Sequence, residues 1–133
     1  DKYSGVKISI PRTVVIATDY FDQFILENDL QYVIDSDITD EEILSAISYH
    51  TTGRPGMTDL EKAVFLADYL EPFRKQPTTP ELNEIRRIAF SDIDKAVYLA
   101  LQNTLRYLKE SGQETDMTTA ETYEEYRLKY ENE

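Results

Sequence analysis

Apolar residues recur at helical spacing along most of the chain, and helix-start signals fall between the runs. Thr39-Asp-Glu-Glu42 reads as a capping box, a threonine oxygen for the free N–H groups and a glutamate reaching back, opening a helix to about Tyr49. Thr58-Asp-Leu-Glu61 opens a second, to about Leu70, with Pro72 as its stop. Thr79-Pro80 sets proline at the first position of a third, to about Phe90. Ser91-Asp-Ile-Asp94 opens the longest, whose stripe is Ile93, Val97, Ala100, Leu101, Thr104, Leu105 and Leu108, and Gly112 closes it. Thr118-Thr-Ala-Glu121 opens a last helix that frays through Glu131-Asn-Glu133. Upstream the pattern is weaker. Val6-Lys-Ile-Ser-Ile10 alternates like a short strand ended by Pro11, with a helix entry as the competing reading. Residues 13–35 look helical, on a rough stripe of Val14, Ala17, Phe21, Phe24 or Ile25, and later Val33, with Asn28-Asp29 as a break. The expected fold class is all-α, a helical bundle with a short strand or irregular segment at the N-terminus.

Composition narrows the function classes. The 133 residues are enough for one domain, 41% hydrophobic and 30% charged. There is no cysteine, hence no disulfide framework and no thiolate site, which fits a reducing, cytoplasmic setting. No apolar run reaches the roughly 18 residues that a membrane helix needs, and no signal-peptide pattern opens the chain. It begins at Asp1 rather than Met, which fits an N-terminus that is trimmed, processed or part of a longer chain. A formal charge of −12 disfavours nucleic acid and an anionic membrane as partners. It would also repel a phosphate-bearing substrate at long range, so such a site needs metal ions or local Arg and Lys. The ten tyrosines are expected to cover core edges with their hydroxyls in water.

Candidate chemistry concentrates between Ile47 and Arg74. His50, the only histidine, ends one helix, in phase with Ile43 and Ile47. Asp68 lies in the next, flanking a stripe of Leu60, Val64 and Ala67. The turn formers Thr51 to Gly56 join the two, so a helical hairpin can bring imidazole and carboxylate to one metal ion. Spacing alone favours a blander outcome, a hydrogen-bonded core histidine and a solvated aspartate.

The run Tyr49-His-Thr-Thr-Gly-Arg-Pro-Gly-Met57, followed by Leu60-Glu-Lys62 and Ala67-Asp-Tyr-Leu-Glu-Pro-Phe-Arg74, resembles the YqeK family of HD-superfamily phosphohydrolases. Asp92-Ile-Asp-Lys-Ala-Val97, Asn103-Thr104 and Thr119-Ala-Glu-Thr-Tyr123 follow in the family's order. The likeness covers about residues 38–126 and the C-terminal half of the family's domain, leaving 1–37 as a divergent segment of a single helical domain. It implies an HD-type helical bundle around a divalent metal centre, usually a pair of irons. The activity implied is symmetrical hydrolysis of diadenosine tetraphosphate to two ADP. His50 and Asp68 match the last two metal ligands, which places Asp68 in the catalytic site. Thr51, Gly53, Arg54, Lys62 and Arg74, with Glu71, are the candidates for a phosphate pocket, the arginines because a guanidinium grips phosphate with two hydrogen bonds.

The likeness is incomplete. No His-Asp dipeptide occurs, and no histidine stands at Gln23–Leu26, where the family's Leu-His-Gly would fall. One imidazole and one carboxylate do not hold a di-iron centre. Two readings follow: a phosphohydrolase, seen here incomplete or degenerate, acting on a dinucleoside polyphosphate or another nucleotide, or a non-catalytic binding or assembly module on an HD-like fold. A homodimer paired through the first helix is a further arrangement the sequence leaves open.

Overall fold

The computed structural model describes residues 26–32, 37–70 and 79–132. The expected N-terminal strand and most of the first expected helix lie outside them, as do Glu71, Pro72 and Arg74. Within them are five helices: α1 (Asp40–Ser48), α2 (Asp59–Tyr69), α3 (Pro80–Ala89), α4 (Ile93–Glu110) and α5 (Met117–Glu131). The break expected at Asn28-Asp29 is a turn, with Asp29 at φ 56°.

The helices start where side chains satisfy the free N–H groups of the first turn. Thr39 accepts from the Glu42 N–H, and Glu42 returns a carboxylate oxygen to the Thr39 N–H at 2.7 Å. Thr58 and Thr79 cap α2 and α3 by accepting from the Glu61 and Leu82 N–H groups, without the returning carboxylate, and Pro80 begins α3. Two expected starts move. Asp92, not Ser91, caps α4, its carboxylate accepting from Lys95 N–H at 3.0 Å. The Ser91 hydroxyl instead donates to the Ile88 carbonyl at the end of α3. Asp116 rather than Thr118 caps α5, accepting from the Thr118 N–H at 2.8 Å. Gly112, at φ 71°, ends α4 in a Schellman arrangement: Gln113 N–H donates to Leu108 O and Gly112 N–H to Lys109 O.

Helix α4 is the centre of the bundle, packing on α2, α3 and α5, while α1 packs on α2. Leu66, Leu70, Val97 and Leu101 are fully buried where α2 crosses α4. Ala67, Ala96 and Ala100 are buried in the same core, and Ala63 is buried beside Leu30. The buried face of α2 differs from the expected one. It follows Ala63, Leu66, Ala67 and Leu70, with Phe65 buried beside it, while Leu60 and Val64 are half-buried. Helix α2 is covered from both sides, by α1 and by α4, which blurs its single apolar stripe. Two tyrosines depart from expectation, Tyr98 and Tyr126 being core residues at 6% and 4% exposure, while Tyr69, Tyr123 and Tyr130 lie partly buried against the core.

Candidate functional site

The loop from Tyr49 to Thr58 joins α1 to α2 and carries most of the candidate residues. His50 follows the C-cap of α1 and is half-buried. Its Nδ1 lies against the Ile47 carbonyl oxygen. A carbonyl can only accept, so in this contact Nδ1 is the donor, and a neutral ring then keeps its lone pair on Nε2. Metal-binding imidazoles are commonly oriented in this way, with the far nitrogen tied to a carbonyl. Asp68 stands in the last turn of α2, half-buried, on the helix against which α1 packs.

The other candidates divide. Thr51 is exposed on the loop. Gly53 is buried at φ 69°, and its N–H donates to the Tyr49 carbonyl at 2.8 Å, closing a turn around His50. Arg54 turns inward: its Nε and Nη2 donate to the two carboxylate oxygens of Glu61, each at 2.6 Å. Glu61 is 3% exposed. Burial pushes its carboxyl up, but the hydrogen bonds and charge of Arg54, with Thr58, outweigh that and hold it below the ordinary value. Lys62 reaches Asp94 on α4 at 2.8 Å and Asp59 at 3.6 Å. Asp94 also accepts from Lys129 of α5 at 2.9 Å, so one carboxylate ties α2, α4 and α5. Burial raises the Asp94 carboxyl, and the two lysines more than reverse this, leaving it lowered. Arg54 and Lys62 thus carry internal counter-charges, and Arg74 lies outside the described residues.

Glu61 was not among the residues singled out from the sequence, although it is the most buried acid of this region. The available signal was the capping box at Thr58–Glu61. A glutamate there ordinarily reaches back to the cap, and an arginine seven positions before it competes for the carboxylate. An open cleft of about 400 Å³ lies at the start of α2, lined in part by Tyr32, Glu42, Met57 and Asp59. It includes neither His50 nor Asp68, and its charged walls are acidic, which suits no phosphate. Among the described residues no group of three or more His, Cys, Asp or Glu side chains converges as a metal site. His50 and Asp68 do not by themselves make a ligand set.

The helical arrangement is shared with a solved structure described as a predicted HD superfamily hydrolase involved in NAD metabolism, from Clostridium acetobutylicum. The TM-score is 0.62 and the identity 36%, over 69% of this chain and 47% of that one. The fold thus resembles part of that of an HD superfamily hydrolase. The sequence is similar, more particularly, to the symmetrical bis(5'-nucleosyl)-tetraphosphatase of Bacillus subtilis, 43% identical over 86 residues, which are 65% of this chain and 45% of that protein. The protein of the same name from Halalkalibacterium halodurans is 42% identical over 91 residues, 68% of this chain and 47% of its own length. That of Staphylococcus aureus is 47% identical over 73 residues, 53% of this chain and 36% of its own length. Over the matched segment the chain is a homologue of these YqeK-type proteins, and it spans half or less of their length. No protein-family model matches it.

Proposed function

We propose that this chain is the C-terminal half of a metal-dependent phosphohydrolase that cleaves dinucleoside tetraphosphates symmetrically, diadenosine tetraphosphate to two ADP. His50 and Asp68 supply two of its metal ligands. The observation that supports this is the orientation of His50: its Nδ1 donates to the Ile47 carbonyl, which in a neutral ring leaves the Nε2 lone pair for a ligand, in a segment 42–47% identical to tetraphosphatases. A divalent metal, iron on the family likeness, supplies a Lewis acid and lowers the pKa of bound water. The chain's own part is to present the imidazole and the carboxylate from two packed helices, while Thr51, which is exposed, and Arg74, which lies outside the described residues, are the candidates to meet phosphate. The remaining ligands must come from elsewhere. The setting proposed with this activity is the cytoplasm.

The test is a chimera. The segment from residue 38 onward replaces the matching part of the Bacillus subtilis relative, and ADP release is followed with Fe²⁺ or Mn²⁺. Turnover is expected, with loss of at least about a hundredfold for His50→Ala and for Asp68→Asn, the scale seen when a group that holds the reacting centre is removed. Turnover that survives either substitution would refute the ligand assignment.

A second reading is a non-catalytic binding or assembly module on this fold. It is favoured by the engagement of Arg54 with Glu61 and of Lys62 with Asp94, which gives each cation a counter-charge from the chain itself. A folded chimera without turnover supports it.

A further inference from the structure

The loop that carries His50 is held more firmly than a connection between two helices requires. Its Gly56 N–H donates to the Glu125 carboxylate of α5 at 2.7 Å. Gly53 lies against Thr122 of the same helix. The third hold is the Arg54–Glu61 pair. It is bidentate, with both bonds at 2.6 Å, and the Thr58 hydroxyl donates to Glu61 Oε1 at 3.2 Å as well. An ion pair with one buried partner contributes little net stability, because desolvation offsets most of the attraction, but its two bonds fix a geometry. What this pair fixes is next to the histidine. The Arg54 guanidinium sits over the Tyr49 ring, 5.8 Å from its centroid, and the Gly53 N–H bonds the Tyr49 carbonyl. Tyr49 immediately precedes His50, whose Nδ1 rests on the Ile47 carbonyl.

We propose that Glu61 is a positioning residue: through Arg54 it locks the turn from Tyr49 to Gly53, and so keeps the His50 proton on Nδ1 and the Nε2 lone pair presented to a ligand. The use of that lone pair rests on the phosphohydrolase reading, but the position of the proton does not. Removing the clasp frees the turn, and the ring then exchanges its bond to Ile47 for water.

The test reads the tautomer directly. His50 is the only histidine, so the ring signals in a two-bond ¹H–¹⁵N spectrum need no assignment. The spectrum is taken on the full chain, without metal, well above the ordinary imidazole range so that the ring is neutral. The native chain is expected to show the Nδ1–H form. Glu61→Ala is expected to make Nε2–H the major form while amide dispersion stays native-like. Arg54→Met combined with Glu61→Met removes both charges and keeps the volume filled, so it tests the same point without an orphaned ion. A folded variant of either kind that keeps Nδ1–H overturns the proposal. So does loss of fold in both, which would make the pair a requirement of the fold rather than of the histidine. Failure of the metal reading appears separately, in the chimera, and leaves the tautomer result standing.

Discussion

Gly53→Ala offers a test of how tightly α5 holds the loop beneath His50. Gly53 sits at φ 69°, where an L side chain is disfavoured by about 1–2 kcal/mol. An added Cβ would also lie 3.1 Å from Thr122 Cγ2. Thr122 is fully buried, and its hydroxyl donates to the Thr118 carbonyl at 2.6 Å, so it has little room to yield. Overpacking of this kind adds about 1 kcal/mol. Against both stands the smaller conformational freedom of alanine in the unfolded chain, roughly 0.4–1 kcal/mol in favour of the variant. The net expectation is destabilisation by about 2 kcal/mol. The unfolding entropy of a 133-residue chain is near ~0.28 kcal/mol/K, so the midpoint should fall by about 7 °C. Gly112→Ala is the control: its φ is 71° and nothing lies within 4 Å of the added Cβ, which leaves only the backbone effect, about 1 kcal/mol. Thermal melts of both variants, followed by far-ultraviolet circular dichroism, separate the two contributions. Equal losses in the two variants would refute the close approach of α5 to the loop.

Thr58→Ala should cost about 1 kcal/mol, since its oxygen caps α2 and its hydroxyl donates to Glu61; an unchanged urea midpoint at unchanged slope would place the helix start elsewhere. Glu61 and Asp94 both have carboxyls lowered from their ordinary values of 4.5 and 3.8. A depressed folded pKa means stability that is present above the unfolded value and lost as pH falls through the folded one. Urea midpoints should therefore decline below about pH 4.5, and less steeply in Glu61→Gln; parallel curves for variant and native chain would contradict this. The chain by itself is expected to release little or no ADP from diadenosine tetraphosphate with Fe²⁺, Mn²⁺ or Mg²⁺, because His50 is its sole imidazole. Robust turnover that disappears in His50→Ala would reveal ligands shared between subunits or not yet identified.

Helix starts were legible in the sequence because capping is local. The oxygens of Thr39, Thr58 and Thr79 need only a backbone N–H three residues ahead, and the chain itself supplies it. Where two capping residues competed, at Ser91 against Asp92 and at Asp116 against Thr118, the choice went to the carboxylate, a stronger acceptor that also favours the positive end of the helix. The short motifs between Tyr49 and Arg74 likewise pointed to the HD superfamily without any geometry, since they record chemistry tied to residue type and order. Burial was different. Ala63, Leu66 and Leu70 became the inner face of α2 only because α4 lies across them, and Tyr98 and Tyr126 entered the core only because α4 and α5 pack together. Arg54 read as a free phosphate binder until the loop folded its guanidinium onto Glu61, seven residues on. A side chain's phase, charge and capping habit are properties of the chain nearby. Which of its possible partners it meets depends on elements far apart in sequence, and only the packed helices bring those within a few ångströms.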